Sequence, residues 1–187
     1  MNILIKPYGS DGCYFRPDTT WERENKDFYS PESVETIEWT PIIFVRISKA
    51  GKHIGDKFAS RYYDSFNFGA LLYCGTGETA FTSCIDHTSL LPSPLYNPIV
   101  LENKDNTYEV SRNSETIFSS AGSLPISLKE RLEETICTAS RLSSLRIGDY
   151  VAIELAPKEI LASRQDGDIS LKATYCENTI IEMNIIF

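Results

Sequence analysis

The sequence predicts an α+β protein: a mixed β-roll with one main helix and one or two short helices. Two stretches rich in β-branched and aromatic residues, 37–48 and 150–187, are typical of strands. Between them, residues 127–142 repeat apolar side chains at four-residue spacing, which indicates one long amphipathic helix. Gly-Asp and Asp-Gly steps separate the C-terminal segments and favour tight turns between strands.

The first third of the chain is predicted to alternate short strands with loops. Residues 2–6 form an apolar strand that ends at Pro7. Residues 7–35 are polar and predict a loop or hairpin, with one short strand near 13–16. The stretch TPIIFVRIS within 37–48 predicts a buried strand, which Gly51 ends.

A strand–helix–strand unit follows. Ile54, Phe58 and Tyr62 lie four residues apart, which predicts a short helix over 53–63 with these side chains on one face. Residues 65–73 alternate apolar with small polar side chains and predict a strand, although Leu71 breaks the alternation. This order suggests a βαβ crossover or a closely related unit.

The middle of the chain is predicted to be mostly loop. Residues 74–98 contain several glycines and prolines and indicate a long loop with one helical turn at most. Residues 99–101 and 108–110 resemble a strand pair around a turn at 103–106. Ser127 and Glu130 have the spacing of a capping box, in which each side chain bonds the other residue's backbone amide.

Three strands are predicted to close the chain. Ile147-Gly148-Asp149 leads into YVAIEL, Asp166-Gly167-Asp168 into ISLKATY, and Glu177-Asn178 into TIIEMNIIF. We expect each of these steps to supply the turn before its strand.

Composition bounds the organisation and location of the chain. Its 187 residues are expected to form a single domain over 1–187. A net charge of −8 argues against a nucleic-acid groove or a site for an anionic membrane surface. The chain has neither an apolar run long enough to span a bilayer nor the features of a signal peptide, so we expect a cytoplasmic protein. The five cysteines lack metal or redox spacing and are expected to be reduced, with a Cys74–Cys84 disulfide as the alternative.

The titratable residues offer only weak site signals. Asp86 and His87 lie near Ser89 and invite a triad interpretation, but a polar loop is favoured because the chain has no Gly-x-Ser-x-Gly elbow. His53 is expected at the surface. Gly75-x-Gly77 is too short for a dinucleotide fingerprint. The carboxylates of Glu35, Glu38 and Asp64 could hold a cation, but such charges are more often solvated.

The order of the segments resembles the fumarylacetoacetate hydrolase family. That family contains hydrolases, decarboxylases and isomerases of acylpyruvates and related 2-oxo or enol acids. The matching segments cover nearly the whole chain apart from 8–35 and 74–98; they are NILIKP at 2–7, IFVRISKAG at 43–51, residues 52–69, SETIF at 114–118, LRIGDYV at 145–151 and Gly167-Asp168. The resemblance implies the mixed β-roll of the family's C-terminal domain type, usually as a homodimer.

The departures from the family pattern concern its chemistry. The Glu-x-Glu pair that holds the family's metal falls at Thr40 and Ile42, and its metal-binding Asp falls at Leu71. Residues 79–103 contain no lysine for the family's active-site position. Ile153-Glu154-Leu155-Ala156-Pro157 takes the place of the Thr-Gly-Thr-Pro loop. The N-terminal segment that often carries a lid and an acid–base residue is also expected to be missing.

Three functional hypotheses follow from these departures. The first is a non-catalytic member of the fold, a binding or structural/regulatory subunit with no catalytic, metal or cofactor residues and no nucleic-acid or membrane partner. The second is a hydrolase, isomerase or decarboxylase of acylpyruvate-like 2-oxo acids with a relocated or degenerate site near Glu78, Asp86 and His87. The third is a partner that regulates a catalytically intact relative. Metal titration separates the first two, and co-purification with such a relative would favour the third.

Overall fold

The computed structural model describes residues 1–75, 79–103, 105–120 and 127–187. Its elements are, in chain order, β1 (Asn2–Lys6), β2 (Tyr14–Pro17), β3 (Trp21–Glu22), β4 (Phe28–Tyr29), β5 (Thr36–Ile47), β6 (Tyr63–Cys74), α1 (Thr79–Thr82), β7 (Ser89–Leu90), β8 (Tyr108–Arg112), β9 (Glu115–Ser119), α2 (Leu128–Leu142), β10 (Tyr150–Glu154), β11 (Glu159–Ser163), β12 (Ile169–Tyr175) and β13 (Asn178–Ile186). Short 3₁₀ segments span Asp18–Thr20, Asp56–Arg61 and Pro98–Glu102.

An eight-stranded mixed sheet forms one layer. Its strand order is β2-β1-β10-β5-β6-β7-β3, and β11 pairs with β5 outside this path. The strand β1 is parallel to β10, and β5 and β6 form a long antiparallel pair. The sheet curls strongly. This is shown by Arg16 on β2, which donates a hydrogen bond to the Leu72 carbonyl on β6 although β6 is four strands away in the order. The predicted mixed β-roll is thereby confirmed.

A five-stranded sheet of order β4-β13-β12-β8-β9 forms the second layer. The main core includes one face of each sheet and the apolar face of α2. It includes Phe66 and Phe68 of β6, and Tyr108 and Tyr175 of the smaller sheet. The rings of Phe68 and Tyr108 stack with centroids 4.8 Å apart, which ties the two layers together.

The eight-stranded sheet is buried on both faces. Its second face carries a separate apolar group, here called the inner cluster: Ile3, Ile5, Ile42, Phe44, Leu71, Tyr73, Leu91, Tyr150 and Ala152. Side chains alternate along a strand, so Ile43 faces the main core while Ile42 faces the inner cluster. This burial explains why Leu71 breaks the apolar alternation of β6, since both sides of that strand lie in apolar surroundings.

The predicted crossover between β5 and β6 was wrong. The two strands are antiparallel neighbours, so no βαβ unit exists there. The connecting segment is a 3₁₀ helix over Asp56–Arg61. Ile54 precedes this helix and is buried, whereas Phe58 within it is 50% exposed, so the two do not share the predicted apolar face.

Two predictions in the middle of the chain also failed. The predicted strand over 99–101 lies in the 3₁₀ helix Pro98–Glu102, which Asn97 caps by accepting the Ile99 amide. β8 pairs instead with β9 across the turn at Asn113 and Ser114, both with positive φ. The predicted capping box of α2 does not form, since Ser127 makes no side-chain cap hydrogen bond.

The remaining predictions hold within a few residues. β5, β6 and the three C-terminal strands lie where predicted, and α2 starts one residue after the predicted start. The strands β3, β4, β7, β9 and β11 were not predicted. All five cysteines are free, which removes the Cys74–Cys84 disulfide. In the described part of the chain, no helix is long and apolar enough to cross a membrane.

Candidate functional site

Thr40, Ile42 and Leu71 lie together on the inner face of the β5–β6 pair. Thr40 is directly opposite Leu71 in the register, and Ile42 is two residues further along β5. All three are 0% exposed. Ile42 and Leu71 belong to the inner cluster, as expected if these positions pack as core.

These three residues do not fit a divalent cation. Such ions bind oxygen ligands, mainly carboxylates, and Ile42 and Leu71 have none. The Thr40 hydroxyl donates a hydrogen bond to the Ala156 carbonyl at 2.7 Å. Glu154 lies opposite Ile42 in the register between β10 and β5, but it is a single carboxylate that already accepts two hydrogen bonds. Over the described ranges, no group of three or more His, Cys, Asp or Glu side chains could hold a metal ion.

A buried polar cluster lies beside these positions. The Glu154 carboxylate is 2% exposed and accepts hydrogen bonds from the Tyr73 hydroxyl and the Tyr8 amide. The hydroxyls of Tyr73 and Tyr14 are 2.6 Å apart. Burial raises the pKa of both phenols above the usual range, so they stay protonated and donate within the cluster.

Two cations flank the ring of Tyr73. The Arg16 guanidinium lies 4.4 Å from the ring centroid and the Lys158 ammonium 3.7 Å. Arg16 is fully buried and donates to the Thr88 and Leu72 carbonyls and to the hydroxyls of Thr88 and Ser89. Positive charge and hydroxyl donors thus lie close to the positions where the resemblance places the family's metal.

The other carboxylates named from the sequence do not converge. Glu38 is opposite Tyr73 near one end of the β5–β6 pair, whereas Asp64 lies at the other end. Eight residues of extended strand separate the two ends by about 26 Å. Asp64 instead forms an ion pair with Arg46 at 3.0 Å. Glu35, Glu38 and Asp64 therefore cannot share a cation.

His87 is held by a carboxylate that the sequence did not indicate. Its Nδ1 lies 3.0 Å from Oε2 of Glu22, a side chain that is only 5% exposed. The neighbouring Asp86 is not the carboxylate that orients the ring. Ser89 does not complete a triad, because its hydroxyl is buried and bonds Arg16 and Thr20. As predicted, His53 is exposed.

A cavity of about 710 Å³ opens beside His87. It lies between the loop before β7 and the strand β4, and its lining residues are Lys26, Asp27, Phe28, Tyr29, Pro31, Ile85, Asp86 and His87. Its volume is in the range of cavities that take small organic molecules. Of the relocated site predicted near Glu78, Asp86 and His87, the structure places the last two at this cavity, and Glu78 lies outside the described residues.

The polar residues of the candidate site that the sequence did not single out come from distant segments. Tyr14 and Arg16 lie in β2, where a short strand was predicted near 13–16 but no site residue was named. Glu154 lies within the sequence that, by the resemblance, takes the place of the family's Thr-Gly-Thr-Pro loop, and Lys158 directly follows that sequence. The sequence held one signal for this cluster. Tyr14 and Arg16 are two residues apart in a short β-prone run, so both side chains lie on the same face of the strand. The pairing of Glu22 with His87 spans 65 residues and had no local signal.

Comparison with known proteins identifies the fold. No family model matches the chain, and no curated protein matches it by sequence. Among solved structures, a Yersinia pestis protein assigned to the fumarylacetoacetate hydrolase family superposes with a TM-score of 0.77 at 13% identity, over 99% of this chain and 92% of that one. The fumarylpyruvate hydrolase of Pseudomonas aeruginosa, solved with Mn²⁺ and pyruvate, gives 0.78 at 11% identity over 100% and 90%.

A third similar structure is the 2-hydroxyhepta-2,4-diene-1,7-dioate isomerase of Mycobacterium marinum, with a TM-score of 0.79 at 12% identity over 99% of this chain and 74% of that one. Structural similarity at such low sequence identity shows the fold of the chain and does not show its activity. The chain has the fold of the fumarylacetoacetate hydrolase proteins.

Proposed function

We propose that this chain is a non-catalytic protein of the fumarylacetoacetate hydrolase fold that acts as a binding or structural/regulatory subunit. The observation that carries the proposal is the burial of Ile42 and Leu71, both 0% exposed, at the positions where the resemblance places metal-binding carboxylates. Metal-dependent chemistry on 2-oxo acids needs a cation to polarise the substrate oxygens. Apolar side chains there supply no means to hold one.

The polar cluster beside these positions supports the same proposal. The hydroxyl of Tyr73, the carboxylate of Glu154 and the guanidinium of Arg16 are all at most 2% exposed and bond one another or the backbone. A catalytic acid or base must reach a substrate proton. Groups this buried serve the packing of the sheet rather than a reaction.

Activity assays test the proposal directly. We expect no turnover of acylpyruvates or fumarylacetoacetate-like substrates with Mg²⁺ or Mn²⁺ supplied, and no rise in melting temperature when Mn²⁺ is titrated. A fumarylpyruvate hydrolase assayed in parallel serves as the positive control. A metal-stimulated kcat on the order of 1 s⁻¹ or more would contradict the proposal.

A second candidate is a metal-independent enzyme with a relocated site. The observation that favours it is the Glu22–His87 pair at the edge of the 710 Å³ cavity, because a buried carboxylate that orients an exposed imidazole is the arrangement of a general base. Turnover of acylpyruvate-like acids that is insensitive to chelators and lost in His87→Asn would favour this candidate over the first.

A further inference from the structure

The cavity beside His87 has one apolar side. Phe28 is 4% exposed and Ile85 is half-buried, and Pro31 and the ring of Tyr29 continue this surface. Tyr29 is 71% exposed, although a large aromatic side chain normally gains stability from burial. A ligand with an apolar body could therefore remove the Tyr29 ring and the Ile85 side chain from water.

The polar groups of the cavity differ in what they already bind. The Lys26 ammonium lies 2.7 Å from a carboxylate oxygen of Glu24, and Asp27 accepts hydrogen bonds from the backbone and side chain of Asn184. Asp86 is exposed, and no described residue bonds its carboxylate. The free polar groups, Asp86 and the outer edge of His87, thus lie on the same loop.

Glu22 determines which nitrogen of His87 can accept a hydrogen bond from a ligand. The Glu22 carboxylate is buried and acts as an acceptor, since its Oε1 accepts the Glu24 amide at 2.6 Å. Its Oε2 therefore accepts a hydrogen bond from Nδ1–H of His87, with the two atoms 3.0 Å apart. The neutral imidazole then has its lone pair on Nε2, the nitrogen on the far side of the ring from Glu22.

The charges around the cavity favour a cation. Asp27 and Asp86 line the cavity, and Glu22 bonds the lining residue His87. Lys26 is the one lysine or arginine among the lining residues and is paired with Glu24, and Arg164 donates a hydrogen bond to the Pro31 carbonyl. The whole chain carries a net charge of −8. A ligand carboxylate would be repelled here, and an ammonium group would be attracted.

We propose that this cavity binds a small organic cation: a protonated amine on an apolar body. The body lies against Phe28, Tyr29 and Ile85, and the ammonium group donates hydrogen bonds to the Asp86 carboxylate and to Nε2 of His87. This proposal rests on the cavity alone and does not depend on the loss of the metal positions. The proposed ligand is positively charged, whereas the 2-oxo acids associated with the fumarylacetoacetate hydrolase family are negatively charged.

Three probes of similar shape test the charge selectivity. Titrations of 2-phenylethylamine, 2-phenylethanol and phenylacetate are followed by the backbone amide resonances of the labelled protein. We expect the amine to bind saturably with shifts centred on Phe28, Ile85 and His87, and the alcohol to bind about fivefold more weakly, as a solvent-accessible ion pair contributes modestly. Equal binding of amine and alcohol, preference for phenylacetate, or no saturable shift at these residues would overturn the proposal.

Variants test the two contacts separately. Asp86→Asn should weaken the amine about threefold and leave the alcohol unchanged, and Asp105→Asn, an exposed aspartate outside the cavity lining, is the matched control. His87→Asn should weaken the amine similarly while keeping the fold, because His87 has a φ of +60°, which asparagine tolerates. Unchanged amine binding in both variants would overturn the proposal.

Glu22→Gln tests the tautomer without changing shape. The glutamine oxygen can still accept the Glu24 amide, but its amide group donates to Nδ1 of His87 and moves the ring proton to Nε2. We expect the imidazole ¹⁵N resonances to show that the proton has moved from Nδ1 to Nε2. Binding of the amine should weaken, and binding of the alcohol should be unchanged. Exchange of the tautomer with undiminished amine affinity would show that Nε2 is not an acceptor for the ligand.

Discussion

Tyr73 connects most of the charged and polar side chains at the inner face of the sheet. Its hydroxyl donates to Glu154 and contacts Tyr14, while its ring lies between the cations of Arg16 and Lys158. A buried carboxylate that loses a donor bears the cost of its desolvation without compensation. The hydroxyl and the ring of Tyr73 thus stabilise opposite charges.

Tyr73→Phe separates these two roles. The variant keeps the ring between the cations and removes the hydroxyl, so we expect the free energy of unfolding to fall by about 1–3 kcal/mol. Urea denaturation measures the change. Tyr29→Phe, at a ring that is 71% exposed, is the control and should stay within about 0.5 kcal/mol of the parent. Equal stability of Tyr73→Phe and the parent would mean that Glu154 does not depend on this hydroxyl.

At the scale of single elements, α2 shows which local signals can be trusted. Its apolar repeat predicted the helix correctly, since Leu128, Leu132 and Ile136 are buried against the sheet. The Ser127–Glu130 spacing predicted a cap that does not form. The repeat reports burial of a whole face, which many contacts enforce, whereas the cap depends on the backbone angles of one residue.

Two serines at opposite ends of this helix give a matched test. Ser140 is buried, and its hydroxyl accepts the Ile54 amide at 2.9 Å and donates to the Cys137 carbonyl. Ser140→Ala leaves the Ile54 amide without its acceptor and should cost about 1–3 kcal/mol. Ser127→Ala removes no cap bond and should change stability by less than about 0.5 kcal/mol. Thermal or urea unfolding measures the stability of both variants. A larger loss of stability in Ser127→Ala than in Ser140→Ala would indicate that the capping box forms.

The β6 strand shows a constraint that only the assembled sheet reveals. A Cβ at position 69 would overlap the Leu90 carbonyl oxygen on β7, and the Gly69 carbonyl accepts a hydrogen bond from the Tyr108 hydroxyl of the other layer. The sequence shows a glycine within a strand, but not the neighbouring strand that requires it. The two-residue strand β7 has no periodicity from which it could be predicted.

Across the whole molecule, sequence patterns predicted the long strands and the main helix. They did not predict contacts between distant segments, such as Glu22 with His87 or Arg16 with β6 and β7. Periodicity encodes which face of an element is buried, and the partner across the interface is set by how the sheet curls. The inner cluster and the cavity beside β4 both arise at that level.

Introducing carboxylates at the inner face tests whether Thr40, Ile42 and Leu71 occupy the positions of the family's metal ligands. The triple change Thr40→Glu, Ile42→Glu, Leu71→Asp places three carboxylates at positions that are 0% exposed. Like charges repel, and buried charge without a partner is costly, so we expect the metal-free variant to lose several kcal/mol, on the scale of about 3–5 kcal/mol for one unpaired buried charge. Loss of the aliphatic burial of Ile42 and Leu71 adds to this cost.

Added Mn²⁺ should recover part of the loss, because an ion that binds only the native state stabilises that state. Thermal melts of the triple variant and the parent, each with and without Mn²⁺, measure both effects, and the parent should not respond to the metal. The size-matched variant Thr40→Gln, Ile42→Gln, Leu71→Asn controls for lost packing and should be insensitive to Mn²⁺. A triple carboxylate variant that is destabilised but gains nothing from Mn²⁺ would mean that these positions do not correspond to the family's metal ligands.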